Sequence, residues 1–366
     1  MNFLFTCGGT AGHINPALAV AGILRDRMPD CGILFVGANG KMETDLVPRA
    51  GYDIVTIEVT YNFRSLHNAR QATKDARKII EDFQPDVAIG TGGYVCYPVL
   101  KAAAQLGIPT VVHESNAVPG LTTKMLAGAV DRILVGFEES KQHYSEQEKV
   151  VVTGTPVRGA FTACSKAEAK RQLGLDPDRP LVVSVWGSLG ASYMNEVMTA
   201  FITRAAVTDA PFALIHSAGR NGYEKMHAAL LEKCPADLAA HGMDVRPYIY
   251  DMPLVMDAAD LVLCRAGAST LAELSCIGKP AILIPSPNVT NNHQERNARV
   301  LEHAGGAKVL LEGAFTADDL YNLVSDLLAD PAQLAQMAQN MKSAGVSDAA
   351  ERIADLVLKL ADRHAK

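Results

Sequence analysis

Residues 2–27 read NFLFTCGGTAGHINPALAVAGILRDR. An apolar run opens the stretch, a glycine cluster interrupts it, and an alanine-rich apolar pattern follows. That order predicts a short buried strand, a tight turn through Gly8, Gly9 and Gly12, and a helix opened by Pro16. Residues 261–274, LVLCRAGASTLAEL, repeat the same order: apolar strand, small-residue loop, helix. Glycines let backbone approach a ligand, and a helix start offers free N–H groups and positive dipole charge. Two such units in one chain predict an α/β protein with anion-binding loops.

Working outward, short β-branched apolar runs alternate with helical patterns. In the first half the strand candidates are 2–7, 32–37, 52–59, 86–89, 110–113, 132–135 and 150–153. Helical stretches at 16–27, 70–83 and 99–106 lie between them. The texture changes near 159–180, where DPDRP at 176–180 forms a turn cluster. Alternation restarts at 181–185 and continues through 212–217, 245–250, 261–264, 281–285 and 307–311. Near-continuous apolar strands alternating with helices predict parallel sheets covered on both faces. The expected architecture is two doubly wound, Rossmann-like parallel-sheet domains, 1–158 and 159–344, facing a cleft. The tail at 349–365 carries Ile353, Leu356, Val357 and Leu360 at helical spacing, as in an amphipathic helix.

Composition narrows the function classes. The 366 residues suit about two domains, and 48% hydrophobic content supplies packed cores. With 34 basic and 40 acidic residues the net charge is −6, a poor match for a nucleic-acid binder. Seven scattered cysteines, none in a C-x-x-C pair, suit free thiols in a reducing compartment. No signal peptide is expected at the N-terminus, and no apolar run is long enough to span a membrane. A membrane partner would be met from the surface. Arg70, Lys74, Arg77 and Lys78 make a basic helical stripe that could lean on anionic lipid. Asp75, Glu81 and Asp82 interrupt it, so a solvated face is an equal reading.

Five loops after predicted strands are candidates for chemistry. In the first, 8–13, His13 stands where a proton could be moved near neutral pH. Residues 90–94, Gly-Thr-Gly-Gly-Tyr, form a second glycine loop. His113-Glu114-Ser115-Asn116 end a strand in four polar groups. Residues 186–191, Trp-Gly-Ser-Leu-Gly-Ala, repeat the strand–glycine–helix order, and Ser188 could bond a phosphate. In the densest, 265–273, Glu273 follows Thr270 by three residues, which matches a capping box or a ribose-binding carboxylate. Asn291, Asn292, His293 and Gln294 follow a later strand and could read sugar hydroxyls. Asp176-Pro177-Asp178 is formally D-x-D but precedes a strand, and is read as a surface turn; no metal site is expected.

Taken together these loops resemble the MurG family of N-acetylglucosaminyltransferases, over almost the whole chain and in order. The resemblance rests on GGTAGH (8–13), KMETDLVP (41–48), GTGGYV (90–95), HESNAVPGLT (113–122), GTPVR (154–158), GSLGA (187–191), CRAGASTLAEL (264–274) and NHQERNA (292–298). It implies a GT-B fold with the last helix, 345–366, returning to the first domain. It implies inverting transfer from UDP-N-acetylglucosamine to the muramoyl 4-hydroxyl of lipid I, giving lipid II, with no obligatory divalent metal or other cofactor. The enzyme would sit peripherally on the cytoplasmic face of the bacterial plasma membrane. The second domain would hold the donor and the first the acceptor and membrane. Glu273 would take the ribose hydroxyls and the backbone at Ile249 would face uracil. Ser188, Ala268, Ser269 and Thr270 would hold the diphosphate. His293, Gln294 and Asn116 would contact the sugar, with Arg158 and Arg265 lining the donor side. Thr10 and His13 would also reach the donor. Gly9, Gly12, Gly92, Gly93 and Tyr94 would cradle the acceptor diphosphate. His13 is the first candidate for the base and Glu114 the second.

The chain departs from the family pattern at Trp186 and Leu189, where glycine and glutamine are usual, at Ser115, and across 60–66 (TYNFRSL). Rival expectations are a GT-B enzyme with another acceptor, such as a diacylglycerol glycosyltransferase, a UDP-N-acetylglucosamine epimerase, or a non-catalytic nucleotide-sugar-binding protein.

Overall fold

The computed structural model describes residues 1–59, 66–157, 164–187, 190–234 and 236–364. The chain separates into two compact units, Met1–Arg158 with Val346–Lys366, and Gly159–Gly345.

The first unit runs β1 (Asn2–Thr6), α1 (Ala11–Arg27), β2 (Gly32–Ala38), α2 (Glu43–Arg49), β3 (Asp53–Ile57), α3 (Leu66–Phe83), β4 (Val87–Gly90), α4 (Cys96–Gln105), β5 (Thr110–Glu114), α5 (Leu121–Leu126), β6 (Arg132–Val135) and β7 (Val150–Val152). Among the described residues the strands form a seven-stranded parallel sheet in the order β3-β2-β1-β4-β5-β6-β7. Successive side chains point to opposite faces, so each strand feeds two cores. Phe3 and Phe5 join Phe35, Ile14, Leu18 and Leu24 on one face, with Phe5 and Phe35 stacked 5.1 Å apart. Leu4 joins Val36, Ala88, Leu100 and Val112 on the other.

The second unit runs α6 (Lys166–Gln172), β8 (Leu181–Val185), α7 (Ser192–Val207), β9 (Ala213–Ser217), α8 (Tyr223–Lys233), β10 (Met243–Arg246), α9 (Met252–Ala258), β11 (Leu261–Cys264), α10 (Ala268–Ile277), β12 (Ala281–Leu283), α11 (His293–His303), β13 (Ala307–Val309), α12 (Ala317–Leu328) and α13 (Pro331–Ala344). Among the described residues its strands form a six-stranded parallel sheet in the order β10-β9-β8-β11-β12-β13. Phe201, Phe212, Leu214, Leu263, Ile282 and Leu320 share one core. The final helix, α14 (Ala349–His364), belongs to the first unit. Its Ile353, Ala354, Val357 and Ala361 enter the core built by Phe3, Phe5 and α1, with Leu356 and Leu360 packed at its margin. Arg27 and Asp355 close the α1–α14 seam at 2.5 Å.

Among the differences from the sequence expectation, two boundaries and one capping assignment have a clear local reason. Helix α1 starts at Ala11, not at Pro16, because extended Thr10 accepts from the N–H groups of His13 and Ile14 and begins the first turn. Gly12 and His13 are therefore helical, and Pro16 lies inside the helix. Strand β10 ends at Arg246 because Pro247 has no N–H to give a ladder. Ile249 consequently sits in the loop after the strand. Glu273 is no part of a capping box: the α10 N-cap is Gly267, which has no side chain to cap with, and Glu273 lies beyond the first turn.

In each sheet the chain reverses its winding beside its first strand, at β1/β4 and at β8/β11. Ligands of open α/β sheets bind at the carboxyl edge of such a switch point. The loops at 7–10 and 91–95 leave the first switch point, and those at 186–191 and 265–267 leave the second.

Candidate active site

In the first unit the two glycine loops are locked together around His13. The Gly8 N–H donates to the Gly92 carbonyl at 3.2 Å, and the Thr91 hydroxyl donates to the His13 carbonyl at 2.7 Å. Gly93 has φ +90°, and a side chain there would run into the Gly8 backbone. The His13 Nδ1 lies 3.0 Å from the Gly8 carbonyl oxygen. A carbonyl can only accept, so the neutral ring carries its proton on Nδ1. Nε2 is left with its lone pair, the form a general base needs.

Glu43 is buried with 0% exposure behind this loop. Its carboxylate accepts from the N–H of Gly9 at 3.0 Å and from that of Ala38 at 3.0 Å. The Gly9 N–H is thus turned toward Glu43. A Cβ at Gly8 or Gly37 would come within 2.5 or 2.6 Å of the Glu43 side chain, so both glycines make room for it. Glu43 falls within the KMETDLVP motif, whose pattern alone assigns it no role. The signal for it was the pair of glycines ending β1 and β2, beside which a buried acid fits.

Glu114 is buried and fully engaged. Oε1 accepts from the Asn116 backbone and side-chain nitrogens, each at 3.0 Å. Oε2 accepts from the Gly120 N–H at 2.9 Å and the Thr123 hydroxyl at 2.8 Å. With four donors on two oxygens it organises the loop 114–123. The neighbouring His113 donates from Nε2 to the Gly154 carbonyl at 3.0 Å, since a carbonyl only accepts. Burial lowers the His113 pKa.

In the second unit a cavity of about 740 Å³ opens at the carboxyl edge of the sheet, beside the β8/β11 switch point. Ile249, Arg265, Thr270, Glu273 and Gln294 all line it. Two helices start there, α7 after Ala191 and α10 after Gly267. Neither has a side-chain cap or an acidic residue in its first turn, so both present positive dipole ends. Gly190, at φ +79°, makes the close approach to the Ala218 carbonyl that admits the first of them. Burial pushes the Glu273 carboxyl up to about 7. Gln294 accepts the Ser286 N–H through Oε1 at 2.9 Å. That orients its amide, leaving the NH₂ as the end for a ligand oxygen. Asn291 and Asn292 have φ of +56° and +51°, left-handed values that aim the start of α11.

Of the remaining expected residues, Ala268 and Ser269 open α10 beside Thr270, and His293 precedes Gln294 at the start of α11. Thr10, His13 and Asn116 lie in the first unit and do not line this cavity. Gly12 follows Ala11 in α1, and Tyr94 stands two residues before α4. Arg158, Ser188, Leu189 and 60–65 lie outside the described residues. Asp176 and Asp178 form a turn in which the Asp178 N–H donates to Asp176 at 2.9 Å. None of the seven cysteines, all among the described residues, is in a disulfide. Among the described residues no helix is long and apolar enough to cross a membrane, and no His, Cys, Asp or Glu cluster is arranged to hold a metal ion.

Comparison with known proteins gives this geometry a family. Residues 3–135 match the glycosyltransferase family 28 N-terminal domain, and residues 181–353 the family 28 C-terminal domain. A UDP-N-acetylglucosamine--N-acetylmuramyl-(pentapeptide) pyrophosphoryl-undecaprenol N-acetylglucosamine transferase of Acetivibrio thermocellus is 44% identical, over 98% of this chain and 97% of its own. The crystal structure of Acinetobacter baumannii MurG superposes with a TM-score of 0.80 at 27% identity, covering 98% of this chain and 99% of that one. The calicheamicin glycosyltransferase CalG4 shares the fold, with a TM-score of 0.71 at 17% identity over 100% of this chain and 99% of its own. The fold is that of GT-B glycosyltransferases, and on matches that span both sheets the chain belongs to glycosyltransferase family 28, as a member of its MurG family of N-acetylglucosamine transferases.

Proposed function

We propose that this enzyme transfers N-acetylglucosamine from UDP-N-acetylglucosamine to the muramoyl 4-hydroxyl of lipid I, with inversion, forming lipid II. The observation that carries the reading is the cavity of the Gly159–Gly345 unit, where Glu273, Thr270 and Gln294 meet two uncapped helix starts. A sugar nucleotide presents a base, a diol, a diphosphate and a hydroxylated ring in that order. Ile249 then faces uracil through its backbone, and Glu273 takes the ribose diol. The N–H groups at Ala268, Ser269 and Thr270, with Ser188, hold the diphosphate. Gln294 and His293 read the sugar; the resemblance to the MurG family assigns donor roles to Asn116, Thr10, His13 and Arg158 as well.

In the reaction the acceptor oxygen attacks the anomeric carbon as its proton passes to His13 Nε2. The bond from that carbon to the phosphate oxygen breaks, and UDP departs with the electron pair. Helix starts supply the charge stabilisation for the leaving diphosphate, so no divalent metal is obligatory. His13 is preferred over Glu114 as the base because its Nε2 has a lone pair to offer, whereas all four Glu114 contacts are already made. The loops bearing Gly12, Gly92, Gly93 and Tyr94 receive the acceptor diphosphate, while Gly9, whose N–H is taken by Glu43, shapes the first of them. The enzyme works at the cytoplasmic membrane face, where the exposed Arg70, Lys74, Arg77 and Lys78 of α3 meet anionic lipid.

The test follows UDP release from UDP-N-acetylglucosamine, with and without a lipid I analogue. Acceptor-dependent release should fall about 10²–10⁴-fold in His13→Ala, with UDP binding retained. Release from a folded wild type that ignores the acceptor would remove the acceptor assignment. An undiminished His13→Ala would remove the base.

A further inference from the structure

The buried acid behind the first glycine loop is joined to His13 by a single peptide. The Gly9 N–H donates to Glu43 Oε2 at 3.0 Å, and the Gly8 carbonyl accepts from His13 Nδ1 at 3.0 Å. That N–H and that carbonyl belong to one amide, the Gly8–Gly9 bond. In a planar trans peptide they point opposite ways, so carboxylate and imidazole sit at its two ends. Thr10 Oγ1 stands farther from Nδ1, at 3.5 Å. The other Glu43 oxygen accepts the Ala38 N–H at 3.0 Å. The charge of this fully buried side chain is thus met by two backbone amides, and among the described residues it joins no ion pair. Burying a carboxylate without a counter-ion is costly.

An amide whose N–H is bonded to an anion is polarised, and its carbonyl becomes a stronger acceptor. We propose that Glu43 is a positioning residue for the proton transfer: through the Gly8–Gly9 peptide it holds the His13 proton on Nδ1 and stabilises the imidazolium that forms when Nε2 takes the acceptor proton. This rests on the reading of His13 as the base. The acceptor hydroxyl proton goes to Nε2, Nδ1 keeps its own, and Glu43 keeps its charge, so no proton crosses the peptide. The other titratable groups set against Glu43 are Cys7 after β1, Cys96 at the start of α4 and Tyr94 before it; His113 of β5 is set against His13. Burial raises both thiols and the phenol and lowers His113, so each keeps its neutral form near pH 7.

Histidine-labelled NMR of the full-length enzyme, assigned with His13→Ala, measures the His13 titration midpoint beside the pH profile of kcat/KM. In Glu43→Gln, which keeps the shape and loses the charge, that midpoint should fall by about 0.5–1.5 pH units. The acidic limb of kcat/KM should move down with it, and the plateau should drop about 5- to 50-fold. In a His13→Ala background the same substitution should cost less than about threefold, because its effect passes through the imidazole. A role in packing alone would lower the plateau and move neither midpoint nor limb; that result overturns the proposal. Should Glu43→Gln fail to fold, the wild type still decides. Glycine labelled with ¹³C at the carbonyl and ¹⁵N at the amide gives a joint signal only from the three Gly-Gly peptides, 8–9, 92–93 and 305–306. The Gly9 amide proton should lie downfield, as one bonded to a carboxylate does, and should titrate with the His13 midpoint; failure of either overturns the proposal. If His13→Ala is inactive and the Glu43→Gln midpoint is unmoved, the base stands and only the Glu43 assignment falls. If His13→Ala keeps full activity, the base reading falls and takes the proposal with it.

Discussion

At the scale of single residues, the two groups with the sharpest consequences are Glu273 and Gly92. Burial holds the Glu273 pKa at about 7, above the ordinary carboxylate value of 4.5. Between those values the folded protein keeps a proton that the unfolded chain releases. The unliganded protein therefore loses stability as pH rises from about 4.5 through about 7, and this contribution is fully present only below that window. A ribose diol donates two hydrogen bonds, which the ionised carboxylate accepts and the protonated form cannot accept in full. UDP affinity should thus climb with pH up to about 7 and then level off, with a proton released on binding at pH 6. Calorimetry in buffers of different ionisation enthalpy measures that proton; its absence in wild type, or its persistence in Glu273→Gln, would contradict the role. Gly92 has φ +115°, and a Cβ there would stand 2.5 Å from His13 Cδ2. Gly92→Ala should lower kcat at least about 10²-fold by displacing the imidazole, while UDP binding is unaffected. A kcat within threefold of wild type would show that the ring position is not critical.

Among the elements, α10 separates helix stability from ligand binding. Its N-cap is Gly267, with φ −67° and only Thr270 Oγ1, 4.0 Å away, near where a Cβ would go. An aspartate fits that conformation and is a better cap, worth a few tenths of a kcal/mol over glycine. It would also set a negative charge against the proposed diphosphate. Gly267→Asp should therefore leave thermal stability equal or slightly higher while weakening UDP binding at least about tenfold. Equal or tighter binding in that variant would argue that the diphosphate lies elsewhere. Strand β10 teaches a related point: one residue, Pro247, ends it and puts Ile249 on a loop, where backbone groups are free to face a ligand.

For the molecule as a whole, two units, each with its own sheet and packed cores, predict two responses to ligand. Saturation with UDP at about 100 Kd should stabilise the Gly159–Gly345 unit by about 2.7 kcal/mol and leave the other unit's transition in place. Scanning calorimetry with and without UDP checks this, and a shift confined to the other unit would contradict it. The order strand, glycine, helix at 2–27 and 261–274 was legible because hydrophobic period and turn chemistry are local properties of the chain. So was the burial of Ile353 and Val357, since helical spacing alone puts them on one face. The motifs also carried the family. What sequence could not determine depended on distant partners. Glu43 braces Gly9 from 34 residues away, Thr91 fastens the His13 carbonyl from 78 away, and the Arg265–Glu312 pair behind Trp186 joins the ends of different strands. Nothing in the local pattern encodes those distances. Only the folding of parallel strands side by side, which sets loops far apart in sequence onto one sheet edge, decided which glycine faces which acid and which histidine nitrogen is left for chemistry.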